Sequence, residues 1–146
     1  MKRQLLRESG DRKMKDYLRF FGRVMLIIIG ALLATDLLFA AGFIYETRYK
    51  VHDVEVYESE NQNYQVILQE IGEPAWPFGP ATARVTVVRK KENGRKEVIE
   101  RFTEKIDNDG GRLDGFWNCR VSWGEGQVTV MLSGESFLKA YEVRLE

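Results

Sequence analysis

The sequence predicts a mainly β protein, with an N-terminal transmembrane helix followed by a seven-stranded antiparallel β-sandwich. Three observations carry this. Residues 24–45 form an apolar run with a single charge. From Val51 onward, short segments rich in Val, Ile, Tyr, Phe and Trp alternate with turn residues. A chain of 146 residues, 44% hydrophobic and 30% charged, is too apolar for a disordered chain and has room for one folded domain beside such a span.

The formal charge is zero, but it is unevenly spread. Residues 1–23 carry eight Lys or Arg against three acids, and residues 46–146 carry fourteen against eighteen. The basic leader precedes the apolar run, so the positive-inside rule keeps the N-terminus cytoplasmic and places the C-terminal domain on the extracytoplasmic side of a cell membrane. Within the leader, Met14, Tyr17, Leu18 and Phe21 share a helical face, which fits a helix lying on the inner surface; an unstructured tail that only sets topology is the plainer reading. The basic cluster is short and tethered, and the outer domain is acidic, so nucleic acid is not an expected partner.

The apolar run spans roughly 33 Å as a helix, enough for a bilayer core. Its charge is Asp36. An Asp at midplane costs about 3 kcal/mol on insertion scales, whereas the twelve Leu, Ile, Phe and Val of the run return roughly 4 to 7 kcal/mol, so the span survives its acid. A cleaved signal peptide is the rival reading, with Ala40-Ala41-Gly42 as small residues for a peptidase, but the run exceeds a typical signal core. No Cys follows the span closely, which excludes a lipoprotein.

An intramembrane acid points to a helix partner or a wet cavity, so Asp36 is a candidate interaction residue. The small residues Gly30, Ala34 and Ala41 recur near helical spacing and permit close approach of a second helix, as do Ala31, Thr35 and Gly42. The competing reading is an anchor that needs no partner, its acid eased by water reaching in from the surface. Residues 46–50 then form a stalk.

In the remaining residues, 51–146, strands are expected at Val51 to Ser59, Tyr64 to Ile71, Ala81 to Arg89, Lys96 to Ile106, Trp117 to Trp123, Gln127 to Leu132 and Ala140 to Leu145. Alternation places Val54 with Val56, Ala83 with Val85 and Val87, Cys119 with Val121 and Trp123, and Val128 with Val130 and Leu132 on shared faces. Asn93-Gly94 and Gly124-Glu125-Gly126 are hairpin turns. Val98, Phe102 and Ile106 also fit a helical stripe, so that segment reads both ways, and strand is preferred. Glu135 to Lys139 is compatible with a short helix.

All three prolines lie in Pro74-Ala75-Trp76-Pro77-Phe78-Gly79-Pro80, which cannot be a ladder strand and is read as a rigid loop. Trp76 and Phe78 either cap the open end of the sandwich or display aromatic surface to a protein partner. Enzyme signatures are missing from the sequence: there is one histidine, His52, and no HExxH, GxSxG or phosphate loop. Ser136 to Lys139 matches SxxK without its companion motifs. Asp107, Asp109 and Asp114 sit among glycines as in a calcium loop, but the EF-hand spacing is absent and an ordinary Asp/Gly turn is favoured, so no metal or cofactor is expected. Cys119 is the only cysteine and reads as a buried thiol rather than an intermolecular bridge.

A basic leader, one span, Ser59-Glu60-Asn61 ahead of Tyr64-Gln65-Val66, the Trp76-Pro77-Phe78-Gly79-Pro80 element, Asn108-Asp109-Gly110 and Val128-Thr129-Val130 leading into Leu132-Ser133-Gly134-Glu135 together resemble small, uncharacterised single-pass membrane proteins of Gram-positive bacteria. The resemblance covers about the last ninety residues, and its most specific part is Trp-Pro-Phe-Gly. It implies a β-rich extracytoplasmic domain and transfers no activity or site residue. The expectation for function is a membrane-anchored, non-enzymatic binding or accessory module for an envelope or surface partner. An immunity-type protein that blocks an incoming toxin is the alternative. An envelope enzyme is the third class, which needs Glu70, Asp109 and Asp114 gathered in one pocket.

Overall fold

The computed structural model describes residues 2–74 and 77–145, with side chains from residue 14 onward. Two compact units are present, Met1–Phe43 and Ile44–Glu146. One helix, α1 (Lys2–Arg48), includes the leader, so the leader is helical rather than an unstructured tail. Its Lys, Arg, Leu, Met and Gln favour helix, and it contains no proline. Met14–Arg48 is long and apolar enough to cross a membrane, and none of its most apolar stretch is buried among the described residues.

The helix also continues through most of the expected stalk, leaving Tyr49 and Lys50 as the connection to the first strand. Its last carbonyls are satisfied locally. The amides of Tyr49 and Lys50 donate to Tyr45 O at 2.9 and 3.0 Å, and the amide of Glu73 donates to Thr47 O at 2.8 Å. Gly72 N bonds Lys50 O at 2.7 Å, so the segment that follows the second strand clasps the start of the domain.

Among the described residues, seven strands form two antiparallel sheets. The first is β1 (Val51–Glu58), β2 (Tyr64–Ile71), β3 (Ala81–Lys90) and β4 (Lys96–Ile106), hydrogen-bonded in that order. A one-turn helix, α2 (Gly115–Asn118), precedes the second sheet of β5 (Cys119–Gly124), β6 (Gln127–Ser133) and β7 (Leu138–Arg144). Asn93-Gly94 and Glu125-Gly126 occupy the expected tight turns. Val66, Leu68, Ala83, Val85 and Val87 from one sheet join Cys119, Val128, Val130, Leu132 and Val143 from the other in a single core, so the sheets form a sandwich. The segment from Lys96 to Ile106 is a strand, as preferred, because Phe102, paired with Val85, and Ile106, paired with Ala81, share the buried face.

Three local expectations fail, each for a physical reason. Val54 and Val56 do not share a face. A bulge between Asp53 and Glu55 leaves Val54 unpaired against the core, while Val56 opposes Ile67 on the outer face and is exposed. β5 begins at Cys119 rather than Trp117, because the Asp114 carboxylate caps a helical turn by accepting from the amides of Phe116 and Trp117 at 2.9 and 3.1 Å. Glu135 to Lys139 forms no helix. Ser133 pairs with Leu138, so residues 134–137 serve as the β6–β7 turn, too few for a helix beyond it.

Candidate functional site

Antiparallel pairing gives the sandwich two unlike ends. The near end is where Lys50 leads into Val51, and it carries the β2–β3, β4–β5 and β6–β7 connections. The far end carries residues 59–63, 91–95 and 124–126, which contain no large apolar side chain.

At the near end the β4–β5 connection crosses beneath the core and is fastened to the β2–β3 loop. Arg112 Nη2 reaches Glu73 Oε1 at 2.5 Å, and the Leu113 amide donates to the Glu70 carboxylate at 3.3 Å. Gly110 lies directly against the Pro77 carbonyl and Phe78 Cα. Asn118 Nδ2 bonds both Asn108 Oδ1 (3.0 Å) and Ser133 O (2.9 Å), and Glu135 N bonds Asp107 O (2.8 Å), which ties in the β6–β7 turn. Phe78 and Leu138 project from this end, 70% and 73% exposed, and Phe116 and Trp117, 74% and 72% exposed, project from α2, which lies against Glu55 and Tyr57 partway along β1. Phe116 and Trp117 meet edge to face, centroids 5.2 Å apart.

Phe78 therefore does not cap the sandwich; burial of the core falls instead to Leu113 and Ile106. Trp76 lies outside the described residues. Sequence reasoning missed Phe116, Trp117 and Leu138, taking Trp117 as a strand residue. The available signal was Asp114 followed by Gly-Phe-Trp-Asn, an N-cap ahead of a single turn.

Glu70, Asp107 and Asp114 at this end are engaged in holding the fold. Burial raises the Glu70 carboxyl above the ordinary range against the lowering pull of the Leu113 amide, Arg112 and His52. Asp114 serves α2, and Asp107 accepts from the Ser136 hydroxyl at 3.2 Å. Asp109 occupies a left-handed turn position, φ 50°. Glu70, Asp109 and Asp114 line none of the clefts described for the domain. Among the described residues no three His, Cys, Asp or Glu side chains converge as metal ligands. A cleft of about 470 Å³ lies between Glu55, Tyr57, Phe116 and Arg120, with Cys119 at its base. Burial pushes that thiol up to about 11, and burial likewise raises the Tyr57 phenol, whose hydroxyl donates to Gly115 O at 2.7 Å.

On α1, Gly30, Ala34, Asp36 and Ala41 are all exposed. At 100° per residue, Gly30, Ala34 and Ala41 fall on one face, and Asp36 lies roughly 140° around the helix from its centre. The small-residue stripe and the acid are thus two surfaces and not one site.

No known protein family, curated protein or solved structure matches the chain in comparison.

Proposed function

We propose that the chain is a single-pass membrane protein that holds a non-enzymatic β-sandwich on the extracytoplasmic side, where it serves as a binding or accessory module for an envelope or surface partner. The observation that carries this reading is the apolar helix Met14–Arg48, joined by only two residues to a folded domain. A helix with its apolar side chains unburied over that length needs lipid or other helices around it. The charge asymmetry across residues 24–45 supports an N-terminus on the cytoplasmic side. The carboxylates an envelope hydrolase would draw on, Glu70 and Asp114, are engaged with backbone amides instead. Asp36 offers a polar contact for a second helix, separate from the small-residue face.

Protease added to intact spheroplasts should remove a tag fused after Glu146 and leave one fused before Met1 untouched; the reverse pattern refutes the topology. Crosslinking of the full-length protein in its native membrane should recover a discrete envelope partner. The association should weaken in Asp36→Leu if the helix contributes, and a monomer that recovers nothing refutes the accessory role.

A further inference from the structure

We infer that Asp36 marks the face of α1 that docks a transmembrane helix of a different chain, one carrying a single lysine or arginine at mid-bilayer depth. This names the chemistry of the helix partner and rests on the anchored reading above.

The first argument is isolation. Asp36 is the only charged residue from position 24 to 45, and the nearest basic residues in sequence, Arg23 and Arg48, lie roughly three and a half helical turns away in either direction. The residues one turn from it, Leu32, Leu33, Phe39 and Ala40, carry no polar side chain, and the neighbouring Thr35 hydroxyl donates to Ala31 O at 2.9 Å. Asp36 is exposed and, among the described residues, forms no hydrogen bond or ion pair. The second argument is geometry. At 100° per residue, Met25, Ile29, Leu33 and Ala40 fall within about 60° of Asp36, so the acid interrupts an otherwise apolar face. Side chains as large as Met25, Ile29 and Leu33 hold a neighbouring helix at the ordinary separation of about 8 to 10 Å between axes. A short carboxylate covers part of that gap, and the long stem of a lysine or arginine covers the rest. The third is charge. Copies of this chain inserted with the same topology bring Asp36 beside Asp36, which supplies no cation. The face that admits a close neighbour, Gly30, Ala34 and Ala41, is centred roughly 140° away, so a second copy seated there leaves the acid outside the pair. The opposite charge at this depth must then come from another chain. An ion pair removes net charge from the hydrocarbon, which a neutral amide partner does not.

The test reconstitutes the full chain, with a donor fluorophore on its amino terminus, in phosphatidylcholine vesicles. Synthetic leucine-rich helices of about 24 residues, acceptor-labelled and carrying either one lysine or one further leucine at the centre, are added to the same vesicles. The chain should float with the lipid. Energy transfer should show association with the lysine-centred helix about five- to thirty-fold tighter than with the leucine-centred one, the equivalent of the roughly 1 to 2 kcal/mol that a polar helix contact contributes. That preference should vanish in Asp36→Leu, a substitution that suits a lipid-facing helix. Failure to float overturns the anchored reading and the partner together. Flotation with equal association to both helices overturns the partner alone, as does a lysine preference that persists in Asp36→Leu. Transfer between donor- and acceptor-labelled copies of the chain that falls in Asp36→Leu assigns the face to a second copy and likewise overturns the inference.

Discussion

Tyr141 stacks on Phe102 with ring centroids 4.0 Å apart and planes 22° from parallel, and its hydroxyl donates to Glu104, so one side chain of β7 closes the second sheet onto β4. Lys139 completes the closure, its Nζ 2.6 Å from Glu104 Oε1 and 4.8 Å above the Tyr141 ring. On the opposite flank Tyr57 bonds the backbone of α2. The sandwich is thus closed by a tyrosine at each edge, and the strand edges between them are broken by bulges and charges that discourage pairing with other chains.

The ring and the hydroxyl of Tyr141 should be separable. Tyr141→Phe keeps the stack and loses one hydrogen bond, an expected cost of about 1 kcal/mol. Tyr141→Ala also removes the ring and should cost about 3 kcal/mol. Urea unfolding of the full chain in micelles, followed by tryptophan emission, measures both. Equal costs would show that the stack contributes nothing.

The Glu104 cluster should impose a pH window. Hydrogen bonds from Lys139 and then Tyr141 hold the Glu104 carboxyl below its ordinary value. Its contribution is present above the unfolded carboxylate range and is lost as pH falls through the depressed folded value. Lys139 is raised, chiefly by its bond to Glu104, and Tyr141 is raised by desolvation and then by Glu104. Their contributions hold below the unfolded values near 10 and disappear as pH rises through the folded ones. In Glu104→Gln, melting should vary less with pH at both the acid and the alkaline limb than in the parent. Unaltered limbs would place the pH dependence elsewhere.

Glu70 should act with the opposite sign. Burial raises its carboxyl, so the stability tied to its protonated form is complete below the unfolded value near 4.3 and is lost as pH rises through the folded one. Gln resembles the protonated acid and can still accept from the Leu113 amide. Glu70→Gln should therefore melt higher than the parent at neutral pH and converge with it in acid. A variant less stable at neutral pH would mean that the charged form has a favourable partner.

Much of this architecture was legible from residue pattern, and the losses have specific causes. Period-two alternation picked out core positions of β3, β5 and β6, where Ala83, Val85 and Val87, Cys119, and Val128, Val130 and Leu132 are all buried, and Asn93-Gly94 fixed a hairpin. The bulge at Val54 defeated the same rule, since one inserted residue reverses every later side chain and nothing local announces it. The apolar span and Asp36 were plain from composition. The exposed aromatics were not, because whether Phe78 or Trp117 is covered depends on how the β4–β5 connection crosses the core, a relationship between residues 39 and more positions apart, as in Arg112 and Glu73.

Gly110 should tolerate no side chain. It has φ +72°, and an added Cβ would collide with the Pro77 carbonyl, whereas Gly94 has φ +76° in a turn with open space around it. Gly94→Ala should cost about 1 kcal/mol from backbone strain alone, and Gly110→Ala more, about 3 kcal/mol, because the β2–β3 loop must also move. The comparison isolates the contact. Equal costs would show that the loop yields freely, and the rigid display of Phe78 would lose its basis.

Cys119 should behave as an inert core residue even in the oxidising surroundings that the proposed extracytoplasmic location would bring. It is 2% exposed, pairs with Leu132 across β5 and β6, and is held at about 11 by burial. Relative to an unperturbed thiol, its thiolate population at mildly alkaline pH falls on the order of a hundredfold, and access is blocked as well. Iodoacetamide at that pH should leave the folded full-length chain at its unmodified mass and alkylate it once after urea denaturation. Since the chain has a single cysteine, the mass change is unambiguous. Rapid alkylation of the folded protein would mean that β5 opens locally. The Tyr57 and α2 contacts beside it would then not hold that edge shut, and the frame displaying Phe116 and Trp117 would be looser than the hydrogen bonds around Asp114 and Asn118 imply.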